Sequence, residues 1–198
     1  MSEQPTLPRV ISGPRVTLRA VSQRDAEDLF RLVEANRRHL RPWFPWVDPT
    51  QSPRETGEFI RRSHLARRRR TSFQYNVFLE KERIGGMGIQ AVSLVDRRGE
   101  IGYWLARSHV GHGYMTEATA ALISASYVHL GLDRIEIRCE PRNVRSRAVP
   151  VRLGFTFEGV LRHQARLHGR PKDHEVWSLL RREFQRARPL FNAYIETP

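Results

Sequence analysis

A chain of 198 residues, 39% hydrophobic and 28% charged, is long enough to bury a substantial core, and no run in it approaches the roughly 18 consecutive apolar residues of a membrane span. The formal net charge is +13, with Lys81 and Lys172 the only lysines among 34 basic residues; that surplus fits an anionic partner (RNA, a ribosome, a phosphate-rich cofactor) or simply a solvated, arginine-rich surface. MSEQPTLPRVISG at the start lacks the pattern of a signal peptide, and one cysteine, Cys139, excludes an internal disulfide and a cysteine-based zinc site. The expectation is a single cytoplasmic domain across 1–198, with a core over about 15–184 and loose tails at 1–13 and roughly 188–198.

In chain order, RVTLRAV (15–21) alternates Val16, Leu18 and Ala20 with polar neighbours and predicts a short strand. Ser22, with Asp25 three residues on, predicts a capped helix carrying Ala26, Leu29, Phe30 and Val33 at helical spacing. RPWFPWVDP (41–49) reads as irregular loop, because its prolines remove donors and fix φ. SPRE (52–55) opens a second helix with a capping serine, a proline and an acidic first turn. It runs into RRSHLARRRR (61–70), which has no interleaved aromatics of the kind that stack bases. Three strands follow, SFQYNVFLE (72–80), RIGGMGIQAVSLV (83–95) and GEIGYWLA (99–106), with hairpin-like joints. YMTEATAALISASYVHLG (114–131) predicts a helix lined by Ala118, Ala121, Leu122, Ala125 and Val128 and ended by Gly131. RIEIRCE (134–140) is a strand that places Cys139 with Ile135 and Ile137 as a core thiol. NVRSRAVPVRLGF (143–155) is a short helix, and residues 155–184 close the chain as two strands joined around Gly169-Arg170-Pro171. This order indicates an α/β domain on a mostly antiparallel sheet.

HVGHGYMTEA (109–118) sets Gly111 and Gly113 between an apolar strand and a helix start. Those are the parts of an anion site: the first helical amides are unpaired, the helix dipole is positive there, and glycine lets backbone approach phosphate oxygens. A nucleotide-hydrolase loop would need a lysine that is missing, and a dinucleotide fingerprint would need glycine at Thr116. Neither fits.

The segments RPWFPWVD (41–48), EIGYWL (100–105), GHGYMTEA (111–118), LGLDRIEIRCEPRNVRSRAV (130–149) and RLGFTFEGVLR (152–162), in this order over about residues 15–184, resemble the GNAT acyltransferases, specifically the RimJ/RimL-like ribosomal-protein N-acetyltransferase group. The resemblance implies the GNAT acyl-CoA N-acyltransferase fold, with flanking helices and a central strand splayed to admit acetyl-CoA. It implies that Val110, Gly111, His112, Gly113, Tyr114 and Met115 wrap the pyrophosphate, although the family usually carries Gln or Arg at the position of Val110. It places an oxyanion donor around Trp104 and Leu105. Asn143 and Ser146 match an Asn-x-x-Ser in which Asn contacts the cofactor arm and Ser sits near the sulfur as a proton donor; both residues also suit helix capping. Trp43, Phe44 and Trp46 would either wall the acceptor pocket or form an apolar latch.

Where relatives carry a glutamate proposed as general base, this chain has Ala165. Glu100, on the cofactor strand, and His163, two residues from Ala165 and so on the same strand face, are the candidate replacements. His163, His168 and His174 lack metal-ligand spacing, so no metal is expected. A weak base favours an acceptor that is already partly neutral: an α-amine has a pKa of about 7.7–8.0 against about 10.4 for lysine, a gap of roughly 3.4 kcal/mol. The expected function is therefore transfer of acetyl from acetyl-CoA to a primary amine, foremost the N-terminal α-amine of a ribosomal protein, directly within a ternary complex. The alternatives are an acyl-CoA-binding protein of this fold with little catalysis, associated with RNA, and a small-molecule acetyltransferase acting on an antibiotic or polyamine. A ribosome or RNA nearby and a homodimer remain open as partners, a membrane does not.

Overall fold

A computed structural model describes residues 5–187 together with Phe191, Asn192 and Tyr194. Its strands are β1 (Val10–Ser12), β2 (Val16–Ala20), β3 (Phe73–Leu79), β4 (Glu82–Ser93), β5 (Arg98–Leu105), β6 (Arg134–Cys139), β7 (Thr156–Leu167) and β8 (Arg170–Leu180). Its helices are α1 (Ala26–Ala35), α2 (Arg37–Leu40), α3 (Pro53–Arg68), α4 (Tyr114–His129), α5 (Val144–Arg152) and α6 (Arg181–Arg186). The strands form one eight-stranded sheet in the order β1-β2-β3-β4-β5-β6-β8-β7. Every neighbouring pair is antiparallel except β5 and β6. A parallel pair needs a crossover connection, and α4 supplies it.

The parallel ladder positions the site. It runs from Arg98↔Arg134 to Ile101↔Ile137 and stops, while on its other side β5 stays paired with β4 as far as Leu105↔Gly85. The last four residues of β5 therefore diverge from β6, the splay that the resemblance implies. Below the split, Ile101, Ile135 and Ile137 are buried in one core with Ala118, Ala121 and Leu122 of α4. The mostly antiparallel α/β architecture is as expected.

Several local expectations give way. Residues 1–13 are not all loose: β1 pairs with β2, Leu7 is buried, and Arg67 of α3 holds the segment by donating to the Leu7 carbonyl (2.6 Å) and the Pro8 carbonyl (2.9 Å). Residues 1–4 lie outside the described residues, as do 188–190, 193 and 195–198 of the expected carboxyl-terminal tail. Phe191 is fully buried, edge-on to Phe184 at 4.8 Å. The 41–49 loop contains a 3-10 turn, Pro45–Val47, because proline's fixed φ suits a first helical position. Asp25 accepts from the Ser22 amide (2.7 Å) as a cap should, but a 3-10 turn, Gln23–Asp25, comes first and α1 begins at Ala26. Val128 does not line the core; it is 69% exposed where α4 emerges from an otherwise enclosed course. The last predicted strand stops at Leu180, where Glu183 accepts from its amide (2.9 Å) and turns residues 181–186 into α6 with Phe184 inward.

Candidate active site

Beyond β5 the chain makes a 3-10 turn, Arg107–His109, and enters α4 through Gly111 (φ +95°) and Gly113 (φ +82°). A side chain at Gly111 would meet nothing within 4 Å, so backbone conformation rather than crowding requires glycine there. The first amides of α4 have no acceptor within the helix, and Gly113 brings no capping side chain to them. Glu117, buried in that turn, clamps the loop from beneath. Its Oε1 accepts from the amides of Arg15 (2.5 Å) and Val16 (2.8 Å), and its Oε2 from Arg15 Nε (2.8 Å). The Arg15 guanidinium also donates to the His112 carbonyl (3.3 Å) and lies 4.9 Å from the centre of the Tyr114 ring. Open glycine backbone and unpaired helix amides fit a diphosphate, and the positions named for it, Val110 to Met115, are contiguous here.

At the split, the Ala106 amide donates to the Ile84 carbonyl of β4 (2.8 Å). Strand alternation turns the amides of Tyr103 and Leu105 the other way, toward the opening left by β6, and the Trp104 amide toward β4. Across the opening stands α5. Asn143 caps it, Oδ1 accepting from the Ser146 amide (3.2 Å), and the Tyr103 hydroxyl donates to the Ser146 carbonyl (3.0 Å). Asn143, Ser146, Tyr103 and Leu105 are thus brought together around the gap. Cys139 lies beside them, buried, with burial and Glu175 pushing its thiol up to about 12.

A cavity of about 590 Å³ opens on the other face of β5, between the sheet and the α1 and α3 layer. Phe44, Trp46 and Trp104 form one aromatic wall, with ring centres 5.4 Å apart for Phe44–Trp46 and 6.0 Å for Trp46–Trp104. Glycines of β4 make the floor. A side-chain carbon on Gly86 would fall 2.8 Å from the Trp104 indole nitrogen, and one on Gly88 would fall 2.4 Å from Gln74 Oε1. Trp43 is not with the other two aromatics: it lines a separate cationic groove with Arg41, Arg142, Arg170 and Lys172.

The candidate bases are dispersed. Glu100 sits at the closed end of the split, receiving Gln90 Nε2 (3.2 Å) and facing Arg138 (3.4 Å); Gln90 lines the cavity. His163 is exposed at φ +53° in a bulge where the β7–β8 register shifts, and its amide donates to Asp173 (2.8 Å). The shift breaks the alternation that would have set His163 and Ala165 on one face. Ala165 stands opposite Lys172, which pairs with Glu140 (3.2 Å). His174 is held below the usual histidine range by burial and Arg138, against the opposing pull of Glu100 and Glu140.

Comparison with known proteins decides the family. The acetyltransferase (GNAT) domain matches residues 15–156. This chain is a GNAT acetyltransferase. The ribosomal-protein-serine acetyltransferase of Escherichia coli is 32% identical over 146 residues, 73% of this chain and 81% of the relative. The ribosomal protein uS5-alanine N-acetyltransferase of Escherichia coli is 29% identical over 182 residues, 87% of this chain and 92% of the relative. RimJ of Mycobacterium smegmatis, solved in complex with a coenzyme A disulfide, superimposes with a TM-score of 0.86 at 29% identity, covering 91% of each chain. The GNAT enzyme described here is an acetyl-CoA-dependent N-acetyltransferase.

Within this GNAT site several residues escaped the sequence reading. Glu117 and Arg15 are 102 positions apart, and no local signal joins them. His39 of α2 lies against the Leu105 backbone and is kept below the usual histidine range by burial, Arg107 and Arg145. Asn76, Gln74, Gln90 and Thr56 line the cavity from strands and helix whose alternation alone does not mark them as polar contacts. The run GGMG in β4 was the one available clue, since glycines inside a strand signal close approach of another group.

Proposed function

We propose that this enzyme acetylates the N-terminal α-amine of a ribosomal protein, in the cytoplasm, by direct transfer in a ternary complex. The observation that carries the reading is the placement of an aromatic-walled cavity against Trp104, on the strand whose far edge opens toward Asn143 and Ser146. Acetyl-CoA supplies the acetyl thioester. The loop Val110–Met115 and the α4 amides bind its diphosphate, and Asn143 orients its arm. The amides of Tyr103 and Leu105 hold negative charge on the acetyl oxygen. Ser146 delivers a proton at the sulfur side of the gap. Glu100, its carboxylate held in place by Gln90 Nε2 (3.2 Å), takes the proton from the acceptor side by way of water, while Phe44 and Trp46 wall the amine. With no carboxylate at Ala165, an α-amine is the acceptor that this set can serve. The named substrates of the two Escherichia coli relatives, a ribosomal-protein serine and the alanine of uS5, agree with it.

Incubation with acetyl-CoA and a panel of free-N-terminus peptides, N-blocked lysine peptides, ribosomal proteins and aminoglycosides tests the reading by mass spectrometry. Acetyl on α-amines is the expected result, and acetyl only on lysines or small molecules overturns it. Ser146→Ala should lower kcat about 100-fold with bound peptide unchanged in position of modification.

A further inference from the structure

We infer that the acceptor cavity selects a cationic N-terminal segment, one with a lysine or arginine among its first three residues. The inference rests on the α-amine reading above and names the class of protein N-terminus that it takes.

The cavity offers acceptors. Asn76 Nδ2 donates to Asp25 Oδ2 (3.0 Å) and Gln90 Nε2 to Glu100 Oε1 (3.2 Å). A carboxylate only accepts, so each amide has its NH2 turned to the protein and its oxygen left over. Gln74 does the same toward Ser72 Oγ (2.9 Å), leaving Oε1 over Gly88. Two of the cavity's polar atoms, Asn76 Oδ1 and Thr56 Oγ1, have no hydrogen-bond partner, in side chains that are 1% and 4% exposed. Leaving such groups unpaired is costly, roughly 1–3 kcal/mol each.

The same wall carries two carboxylates. Glu55 and Glu58 of α3 line the cavity together with Arg62, while Arg54 and Arg61 reach Glu58 from outside the lining. Glu55 is held below the usual carboxylate range by the Ser52 hydroxyl, so it stays ionised. Glu58 has only long ion pairs, 3.4 Å to Arg54 and 3.7 Å to Arg61. In a chain of charge +13, two carboxylates on the cavity wall still give a cation in the cavity a local partner.

Geometry sets which residue is read. Asn76, Gly86 and Trp104 are directly opposite one another across β3, β4 and β5, so Asn76 stands two strands, roughly 10 Å, from Trp104. An extended peptide covers about 10 Å in three residues. An α-amine at Trp104 therefore brings the second and third side chains to the wall formed by Asn76, Thr56, Glu55 and Glu58.

Peptides differing only at position three (Lys, Gln or Glu) and acetylated by the full chain at saturating acetyl-CoA test this, with mass spectrometry to place the acetyl group. Lys over Glu should show about a fivefold advantage in kcat/KM, carried by KM and fading in high salt, as one partly exposed charge contact allows. Glu58→Gln should flatten the order and Glu58→Arg should reverse it, with the melting temperature showing that each variant is folded. Equal rates on all three peptides, or an order indifferent to Glu58, overturn the inference and leave the α-amine reading intact. Absence of acetyl from every α-amine overturns both.

Discussion

Glu117 shows how much one side chain can hold at the site. It is buried and receives two backbone amides and a guanidinium from residues a hundred positions away. Glu117→Ala leaves those donors unpaired, and urea unfolding should show a loss of about 3 kcal/mol. At Gly113 the space is sufficient, a side-chain carbon meeting only Arg15 at an ordinary 3.5 Å, and glycine is required by its φ of +82°. Gly113→Ala should strain the loop by about 1 kcal/mol, and calorimetry should show coenzyme A binding weakened about fivefold with peptide KM unchanged. Both glycines were legible in the sequence, because a left-handed backbone at a helix start is a local requirement. Glu117 was not, because its partners are Arg15 and Val16, where the chain enters β2. Cys139 was read as a core thiol from strand alternation. Its thiol, pushed up to about 12, should react with iodoacetamide far more slowly in the native protein than in urea.

At the level of elements, β4 does more than extend the sheet. Its glycines let Trp104 and Gln74 lie flat on it, which turns sheet surface into cavity floor. Gly86→Ala forces the indole off its place, and a displacement costing about 1 kcal/mol should raise the acceptor KM about fivefold while coenzyme A binding stays unchanged. Helix starts, strand alternation and the β5-loop-α4 unit were readable because each is encoded within a few residues. The short β1 was not, since Arg67 of α3 and the pairing with β2 order it from outside. The bulge at His163 was equally hidden: the motif reads as a regular strand, and only the partner strand shows the register shift. The aromatic loop divided in the same way. Its irregular course and bulk were evident from the prolines and rings, yet only tertiary structure sends Trp46 to Trp104 and Trp43 to another groove.

For the whole molecule, charge was the least decisive property of the sequence. Many arginines are used structurally: Arg67 lies 5.1 Å from the Phe73 ring centre and holds the amino-terminal segment, and Arg134 joins Glu136 and Glu158. Arg134 and Ser178 hold the Glu158 carboxyl down at about 2, from an ordinary value near 4.5. Between those values the unfolded chain binds the extra proton, so stability rises with pH across that window and is fully present above about pH 4.5. Glu158→Gln should therefore destabilise the protein at pH 7, by no more than about 1 kcal/mol for so exposed a pair, and the difference from the unaltered protein should shrink as pH falls toward 2 in urea titrations. Among the described residues no helix is long and apolar enough to cross a membrane. The sequence by itself determined the family, the order of the main elements and the glycine loop that leads into α4, because periodicity, capping and glycine conformation act over a few neighbouring residues. Only the tertiary structure decided where β5 parts from β6, which aromatics wall the cavity and which carboxylates rim it, because those depend on pairing and packing between segments far apart in the chain.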